Sequence, residues 1–570
     1  MQLFKKQLNI RLSTISPECR SEVSQLFCSL TSFVAYLKAE ECPGKEDKEQ
    51  CVKCRTENER LYNANKWIMT WVDSVGKMPS GISDGNYHWL GDYEQCQRLK
   101  TQGLFNGRYC LLEFRVPGAV IRPEQCPEKG TDPLEVVLGI CLPANCSTEE
   151  TQGLVEYVAE HQPIHVNCQP PGQWPLAGII LVGILLLWLS VLLFVSTFRW
   201  FHHLQLPPIF DAFCLQIHLR HSLRTTQPLE TRFQSIHGIQ VLAASFLVLG
   251  QAQLLVLPYL ENTGHHYALL ERWPAQIALN PTLLTDTILA LDLFQLALNE
   301  SQRRPKRSLI LIVWKRFLRI WPIYTLITLS MAFVFAHLGE GPMWSRTDIS
   351  QRCSNNWPEN IFFITPFARA SSPIIGLLFA LFLLPKWDEW QHLIKALSLI
   401  GLLITLFFMI FILWAPFWIF TDSTISLIYG TIHRPIWSFL LFCFLGFLEV
   451  NLKGSVLAKL LCWRVFRPLS KLVLIVLLLS EPIALSLFSS LHRPVHTTPL
   501  SSLLSFIGIF VCSFLFSFIL DCSIIRPIRN LFLKIYGEKN ELENNKEEEN
   551  DEKEIAMEKE NILGKSKNEI

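Results

Sequence analysis

The residues able to do chemistry in this chain sit inside its apolar stretches. One such stretch, 237–258, carries His237, Gln240, Gln251 and Gln253; the next, 275–298, carries Asp286 and Asp292; a third holds Lys315, Arg316 and Arg319 near its start. Polar groups within a membrane span are costly, so each marks a functional hypothesis. A histidine there can exchange a proton near neutral pH. Two acids in one span suggest a wet cavity or basic partners, and six residues apart they fall on different helix faces. Arg316 and Arg319 can share a face. The plainer reading of that basic cluster is an anchor holding a helix end at the headgroups.

A second set of reactive residues is crowded at the other end. Eleven of the 17 cysteines precede Pro170: Cys19, Cys28, Cys42, Cys51, Cys54, Cys96, Cys110, Cys126, Cys141, Cys146 and Cys168. That density suits an oxidising compartment. Cys96, Cys110, Cys126, Cys141, Cys146 and Cys168 are the disulfide candidates, with connectivity open. The rival reading is zinc, because Cys51 and Cys54 form a CxxC pair. No second CxxC or HxxxH accompanies it, so no metal site is expected. Eleven is odd, which leaves at least one thiol free or paired elsewhere.

The elements that must position these groups follow from hydropathy. Half of the 570 residues are hydrophobic and only 18% are charged, against about 25% in soluble proteins; mean hydropathy is +0.26. The net charge of +1 offers no basic field for nucleic acid. A spanning helix needs about 20 apolar residues. Candidate spans are 175–198, 237–258, 275–298, 309–337, 372–384, 393–414, 436–450, 471–489 and 500–520, the fifth and seventh being short. The reading is an all-α multi-pass bundle of about 9–11 spans behind a cysteine-rich N-terminal domain. Met1 to Ser16 has basic residues but no sustained apolar core, so an ordinary signal peptide is not expected. Lys and Arg gather after the first, third, seventh and ninth spans, which with nine spans fall on one side. Arg346, Arg352, Arg434 and Arg493 lie opposite. The cysteine-rich domain is therefore expected on the extracellular or luminal side, and the C-terminus in the cytosol. The chain divides into a domain over 1–170, a first span with a cytosolic linker over 171–232, a bundle over 233–525 and a tail over 526–570. From Glu538 onward that tail is dominated by Glu, Lys and Asn, and reads as solvated rather than folded.

Other motifs have bland readings. Asn145-Cys146-Ser147 fits the glycosylation pattern, though Cys146 is expected to be bridged. Asn299-Glu300-Ser301 also fits but falls on the cytosolic side. The adjacent pairs His202–His203 and His265–His266 diverge on a helix and read as interfacial. Trp174, Trp200, Trp273, Trp314 and Trp321 lie near span boundaries, as an aromatic belt would. Glu481, beside Pro482, is a buried acid or a helix-end residue.

Taken together, these residues resemble a known family, the animal nose-resistant-to-fluoxetine proteins of acyltransferase family 3. In the N-terminal region the likeness rests on Trp71 to Ser74 (WVDS), Gly81 to Asn86 (GISDGN), Gly91 to Cys96 (GDYEQC) and Gly139 to Cys146 (GICLPANC). In the membrane region it rests on Ile236 to Ile239 (IHGI), Asp286-Thr287, Arg316 to Tyr324 (RFLRIWPIY), Gly341 to Trp344 (GPMW), Cys353 to Trp357, Arg434 to Gly446 and Pro468 to Ser470. The resemblance implies transfer of an acyl group from a donor such as acyl-CoA, as co-substrate, to a hydroxyl acceptor within the bilayer, with membrane lipids as further partners. It implies no further cofactor. It places the catalytic candidates at His237, Gln251 and Asp286, and donor binding at Arg316 and Arg319, whose guanidinium donors suit the phosphates of CoA. The expected location is a membrane of the endoplasmic reticulum or the plasma membrane.

The departures from that pattern bear on activity. Where the family has Arg after the His-Gly pair, this chain has Gln240. Where it has Gly-His at the far end of the span, this chain has Gly250-Gln251, and an amide cannot act as a general base. The family's Ser-Gly becomes Asp292-Leu293. A segment normally found before the next helix is missing after Phe367. A Tyr-Leu-x-His pattern becomes Leu477 to Ser480 with Glu481, and Cys522 stands at or near a family Glu. His237 lies 14 residues from Gln251, about 20 Å along a helix, and could not replace it. The expectation is a retained scaffold with impaired or lost catalysis, or a non-catalytic lipid-binding, transport or scaffold role.

Overall fold

The structure is a computed structural model that describes residues 15–37, 48–101, 106–116, 134–158, 164–168, 174–202, 210, 212–223, 233–303, 321–344, 370–383, 395, 398–415, 423–451 and 456–531. Its N-terminal region opens with helices α1 (Pro17–Leu37) and α2 (Lys48–Ser74). A short strand β1 (His88–Trp89), helix α3 (Tyr93–Thr101), strands β2 (Gly107–Val116) and β3 (Leu134–Pro143), helix α4 (Thr148–Val158) and strand β4 (Ile164–Cys168) follow. The strands form one sheet in the order β1-β3-β2-β4; β2 runs antiparallel to both β3 and β4, and β1 lies parallel to β3.

Hydropathy alone does not reveal this sheet. β2 and β3 are mostly apolar runs without clean alternation, and neither periodicity nor length separates such runs from buried helix. Their pairing also joins residues as far apart as Val116 and Leu134, or Gly107 and Pro143.

Disulfides fasten the other elements to this hairpin. Cys110 and Cys168 face each other in the β2–β4 register and are bonded. Cys96 of α3 is bonded to Cys141 of β3, and Cys19 of α1 to Cys146 before α4. Cys54 is disulfide-bonded as well; Cys126 lies outside the described residues. The three bridges Cys19–Cys146, Cys96–Cys141 and Cys110–Cys168 each close a long loop, which removes conformations from the unfolded chain. Hydrogen bonds support the same joints. Trp71 Nε1 donates to the Cys141 carbonyl at 2.8 Å, and the buried Tyr109 hydroxyl to the Leu90 carbonyl at 2.6 Å. Burial pushes the Tyr109 phenol well above its ordinary pKa, so it remains a donor. Gly91 is required between Leu90 and α3: its φ of 65° is left-handed, and an added Cβ would lie 2.2 Å from the Ser74 carbonyl oxygen.

Beyond residue 174 the described chain is helical. Among the described residues, five helical stretches are long and apolar enough to cross a membrane: Leu176–Phe201, Ser235–Tyr259, Pro281–Leu298, Ile428–Asn451 and Pro499–Leu531. Four shorter apolar helices accompany them, Trp321–Phe335, Ser371–Phe382, Ser398–Trp414 and Val473–Ser489. The membrane portion is thus an all-α multi-pass bundle with a disulfide-rich domain before it. Its parts are α5 (Leu176–His202), α6 (Leu215–Ser222), α7 (Ser235–Leu254), α8 (Thr263–Leu270), α9 (Pro281–Arg303), α10 (Trp321–Phe335), α11 (Ser371–Leu383), α12 (Ser398–Trp414), α13 (Ser423–Asn451), α14 (Phe466–Ser470), α15 (Val473–Ser489) and α16 (Pro499–Leu520). The seventh span was expected to begin at Ile436, after Pro435. Instead α13 runs through that proline for 29 residues. Proline is tolerated inside membrane helices because neighbouring groups take up the freed backbone.

The N-terminal domain and the bundle share one core. Ile68, Leu90, Tyr93 and Val137 belong to the same buried cluster as Val256, Tyr259, Met343 and Phe488. At the rim, Arg493 donates to Asp92 at 3.1 Å, His492 lies 3.0 Å from Glu94, and the Tyr93 and His492 rings are 5.6 Å apart. Thr263 Oγ1 donates to the Gly85 carbonyl at 3.2 Å. The exposed ion pairs contribute little individually; the shared apolar core does the joining.

Beneath that joint lies a buried polar knot. Asn262 donates through Nδ2 to the Thr497 carbonyl at 2.9 Å and accepts from the Thr497 backbone N–H at 2.9 Å. His266, on α8 and 1% exposed, lies 3.1 Å from the Gln253 carbonyl and 3.3 Å from the Thr497 hydroxyl. The pair His265–His266 therefore diverges, with His265 exposed and His266 buried rather than interfacial. Burial lowers the His266 pKa, opposed by the Gln253 carbonyl and aided by neighbouring His265. A histidine with a depressed folded pKa binds its proton more readily when unfolded, so its contribution is complete above the unfolded pKa of about 6.5 and declines as pH falls below it. The thermal midpoint of the purified protein should fall between about pH 7.5 and about pH 5, and His266→Gln should flatten that fall; an unchanged slope in the variant would refute the assignment.

Candidate functional site

Helix α7 carries the groups singled out by sequence. Its helical register puts Gln240 and Gln251, 11 residues apart, on nearly one face and about 16 Å apart along the axis. Gln240 is 2% exposed. The side-chain carbonyl oxygens of both glutamines are buried without a hydrogen-bond donor among the described residues. Gly250 explains how α7 reaches so deep: an added Cβ would lie 1.9 Å from the Ala278 carbonyl oxygen. The backbone approach leaves no room for a larger residue.

His237 sits at the start of α7, half-buried, with Nδ1 2.7 Å from the Ser470 hydroxyl of α14. Ser470 donates its own proton to the Arg467 carbonyl at 3.0 Å. The structure keeps His237 and Gln251 at opposite ends of the helix and does not bring them together.

Asp286 belongs to a different pairing. It is fully buried on α9, its Oδ2 3.9 Å from Arg434 Nε of α13, whose side chain is 26% exposed. Next to it, Trp437 Nε1 donates to Thr287 Oγ1 at 2.9 Å, and Thr287 donates to the Leu283 carbonyl at 2.9 Å. Arg434 and Trp437 are one turn apart on α13, as Asp286 and Thr287 are adjacent on α9, so two segments of the family-like pattern meet face to face. Ser438 donates to the Arg434 carbonyl at 3.1 Å near Pro435, and Tyr429 ties α13 to α12 through the Ile412 carbonyl at 2.8 Å. The sequence puts Arg434 among the loop charges and at the start of the family-like segment Arg434 to Gly446, but does not pair it with Asp286. The signal available was the pair of intramembrane acids, which called for basic partners. Ser470 as the partner of His237 had no such signal. Arg316 and Arg319 lie outside the described residues. Among the described residues no group of three or more His, Cys, Asp and Glu side chains could hold a metal ion.

Together these features define a multi-pass helical membrane protein whose bundle contains an intramembrane Asp–Arg pair and buried amides, with a disulfide-bonded domain docked against one end. Comparisons with known proteins agree with this class. Residues 52–155 match the family model of the nose resistant-to-fluoxetine protein, N-terminal domain. Over 397 residues the chain is 19% identical to Nose resistant to fluoxetine protein 6 of Caenorhabditis elegans, an alignment covering 56% of this chain and 48% of that protein. The chain is thus similar to nose-resistant-to-fluoxetine proteins, and its matched part spans about half the length of that curated relative. No solved structure matches it.

The Asp286–Arg434 contact generates a direct test. Removing one partner of a buried pair costs more than removing both, because the charge left behind loses its compensation. Arg434→Ala should destabilise the protein by about 3–5 kcal/mol, and adding Asp286→Asn should restore part of that loss. Additive losses in unfolding measurements of the single and double variants would show that the two side chains do not act as a pair.

Proposed function

We propose that this chain is a membrane protein built on an acyltransferase scaffold whose standard acyl transfer, from a donor such as acyl-CoA to a hydroxyl acceptor, is impaired or lost. The observation that carries the proposal is Gln251, an amide at the position where the family resemblance expects the catalytic histidine. An amide has no lone pair basic enough to accept a hydroxyl proton at neutral pH, so the acceptor cannot be activated there. Gln240 removes, on the same helix face, the guanidinium that the resemblance expects. His237 supplies an imidazole, but about 20 Å away along α7 and bonded to Ser470. Asp286 is engaged with Arg434 and serves the scaffold in this reading.

A donor site at Arg316 and Arg319 is retained in the proposal, because two arginines one turn apart suit a phosphate-bearing carrier. The same loss of the base favours a second reading: a non-catalytic protein that binds or moves a lipid, or acts as a scaffold through its outer domain. In either case the partners are membrane lipids, and the location is a membrane of the endoplasmic reticulum or the cell surface, with the disulfide-rich domain on the oxidising side.

Purified full-length protein supplied with labelled acyl-CoA and a hydroxyl-bearing lipid should transfer no label above background. Gln251→His, alone or with Gln240→Arg, should raise transfer above the parent. Turnover by the parent protein itself would remove the basis of the proposal. Acyl-CoA binding that weakens on Arg316→Ala or Arg319→Ala, with no transfer by any variant, would select the non-catalytic reading.

A further inference from the structure

We infer that Asn145 is an N-glycan acceptor whose use is decided by a race with closure of the Cys19–Cys146 disulfide. Asn145, Cys146 and Ser147 form the acceptor triplet, and the fold places them in the exposed turn between β3 and α4. Asn145 and Ser147 are exposed, while Cys146 between them is buried and bonded to Cys19 of α1.

Folding engages every part of the triplet. Asn145 Nδ2 donates to Glu22 Oε1 at 2.8 Å, and its backbone N–H donates to Glu22 Oε2 at 3.3 Å, both on α1. Ser147 accepts from the Glu150 backbone N–H at 3.2 Å and donates its own N–H to Glu150 Oε2 at 2.8 Å, a reciprocal cap on α4. Glu150 Oε1 in turn holds the Ser16 backbone N–H at 2.8 Å. Docking of α1 therefore withdraws the amide and fixes the hydroxyl, so sugar must be attached before α1 docks.

The chemistry is compatible with the finished fold. Asn145 Nδ2 would displace the diphosphate from the anomeric carbon of a lipid-diphosphate-linked oligosaccharide. An N–C bond forms, the C–O bond to phosphate breaks, and one amide proton leaves. The remaining N–H can still donate to Glu22, and the exposed position leaves the sugar in solvent. Cys19 lies 127 residues before Cys146. Once both have reached the oxidising compartment, disulfide closure and sugar transfer compete on the same short segment. Both steps belong to the oxidising side of the secretory membrane, where disulfides form and N-glycans are added.

The test expresses the full chain in secretory cells and measures its gel mobility before and after endoglycosidase treatment. Wild-type protein should run as two bands one glycan apart, collapsing to one on digestion. Asn145→Gln and Ser147→Ala should each give only the lower band, and Cys19→Ser should shift the population toward the upper. Because transfer precedes folding, misfolding of a variant does not blur the reading. No enzyme-sensitive band in either wild type or Cys19→Ser would overturn the assignment. So would equal occupancy in those two proteins, or a shift that survives Asn145→Gln and moves instead to Asn299.

Discussion

A carboxylate with no exposed surface, set between membrane helices, must be answered by a positive charge, and that requirement organises the middle of this bundle. Asp286 meets Arg434 across the α9–α13 contact. Once those two are opposed, Thr287 falls opposite Trp437, and the indole nitrogen finds an acceptor it would otherwise lack in an apolar environment. The register of α13 against α9 is thereby fixed at two adjacent positions. The unexpected length of α13 follows from the same need. A helix ended at Pro435 would leave Arg434 in an irregular segment, with unpaired backbone at membrane depth.

The other end of the molecule is governed by a shared core. Trp67, Ile68 and Tyr109 of the disulfide-rich domain are continuous with Tyr259, Leu479 and Phe488 of the bundle. The acids of the segment Gly91 to Cys96 are divided between two tasks: Asp92 caps α3 through the Gln95 N–H at 3.1 Å and reaches Arg493 with its other oxygen, while Glu94 reaches His492. A sequence pattern that marks the domain is thus also its point of contact with the loop joining α15 to α16. A domain held this way is part of the bundle's end wall rather than a tethered neighbour, so access to that end runs around it.

How much of this was legible in the sequence varied with the range of the interaction. Local hydropathy located the helices 176–202, 235–254 and 499–520 closely, because twenty apolar residues in a row admit few other readings. The cysteine density announced bridges but not which cysteine meets which, since pairing depends on the sheet that carries Cys110, Cys141 and Cys168. The sheet itself was missed because apolar strands lack a distinguishing period. Asp286 was found as a costly residue; its partner, 148 positions further on by subtraction of the residue numbers, was not, because no local pattern points across that distance. The seventh span, read as 436–450, begins 13 residues too late, because α13 starts at Ser423 and continues through Pro435, and proline is tolerated inside a membrane helix.

The two buried glutamines on α7 also shape what that helix can carry at membrane depth. An ionisable group at membrane depth demands a counter-charge or water. Amides at both positions need neither. Glutamine is long enough to fill much of the volume of either side chain, is neutral at every relevant pH, and keeps both a donor and an acceptor for any polar neighbour or ligand. The helix can therefore stay packed at Gly250 against Ala278 and at Gly238 against Leu461 with no buried charge to compensate. What such a helix face retains is the capacity to hydrogen-bond a ligand; what it lacks is a group that can take the ligand's proton. That division, a face able to bind but not to accept a proton, is what the proposed loss of acyl transfer rests on.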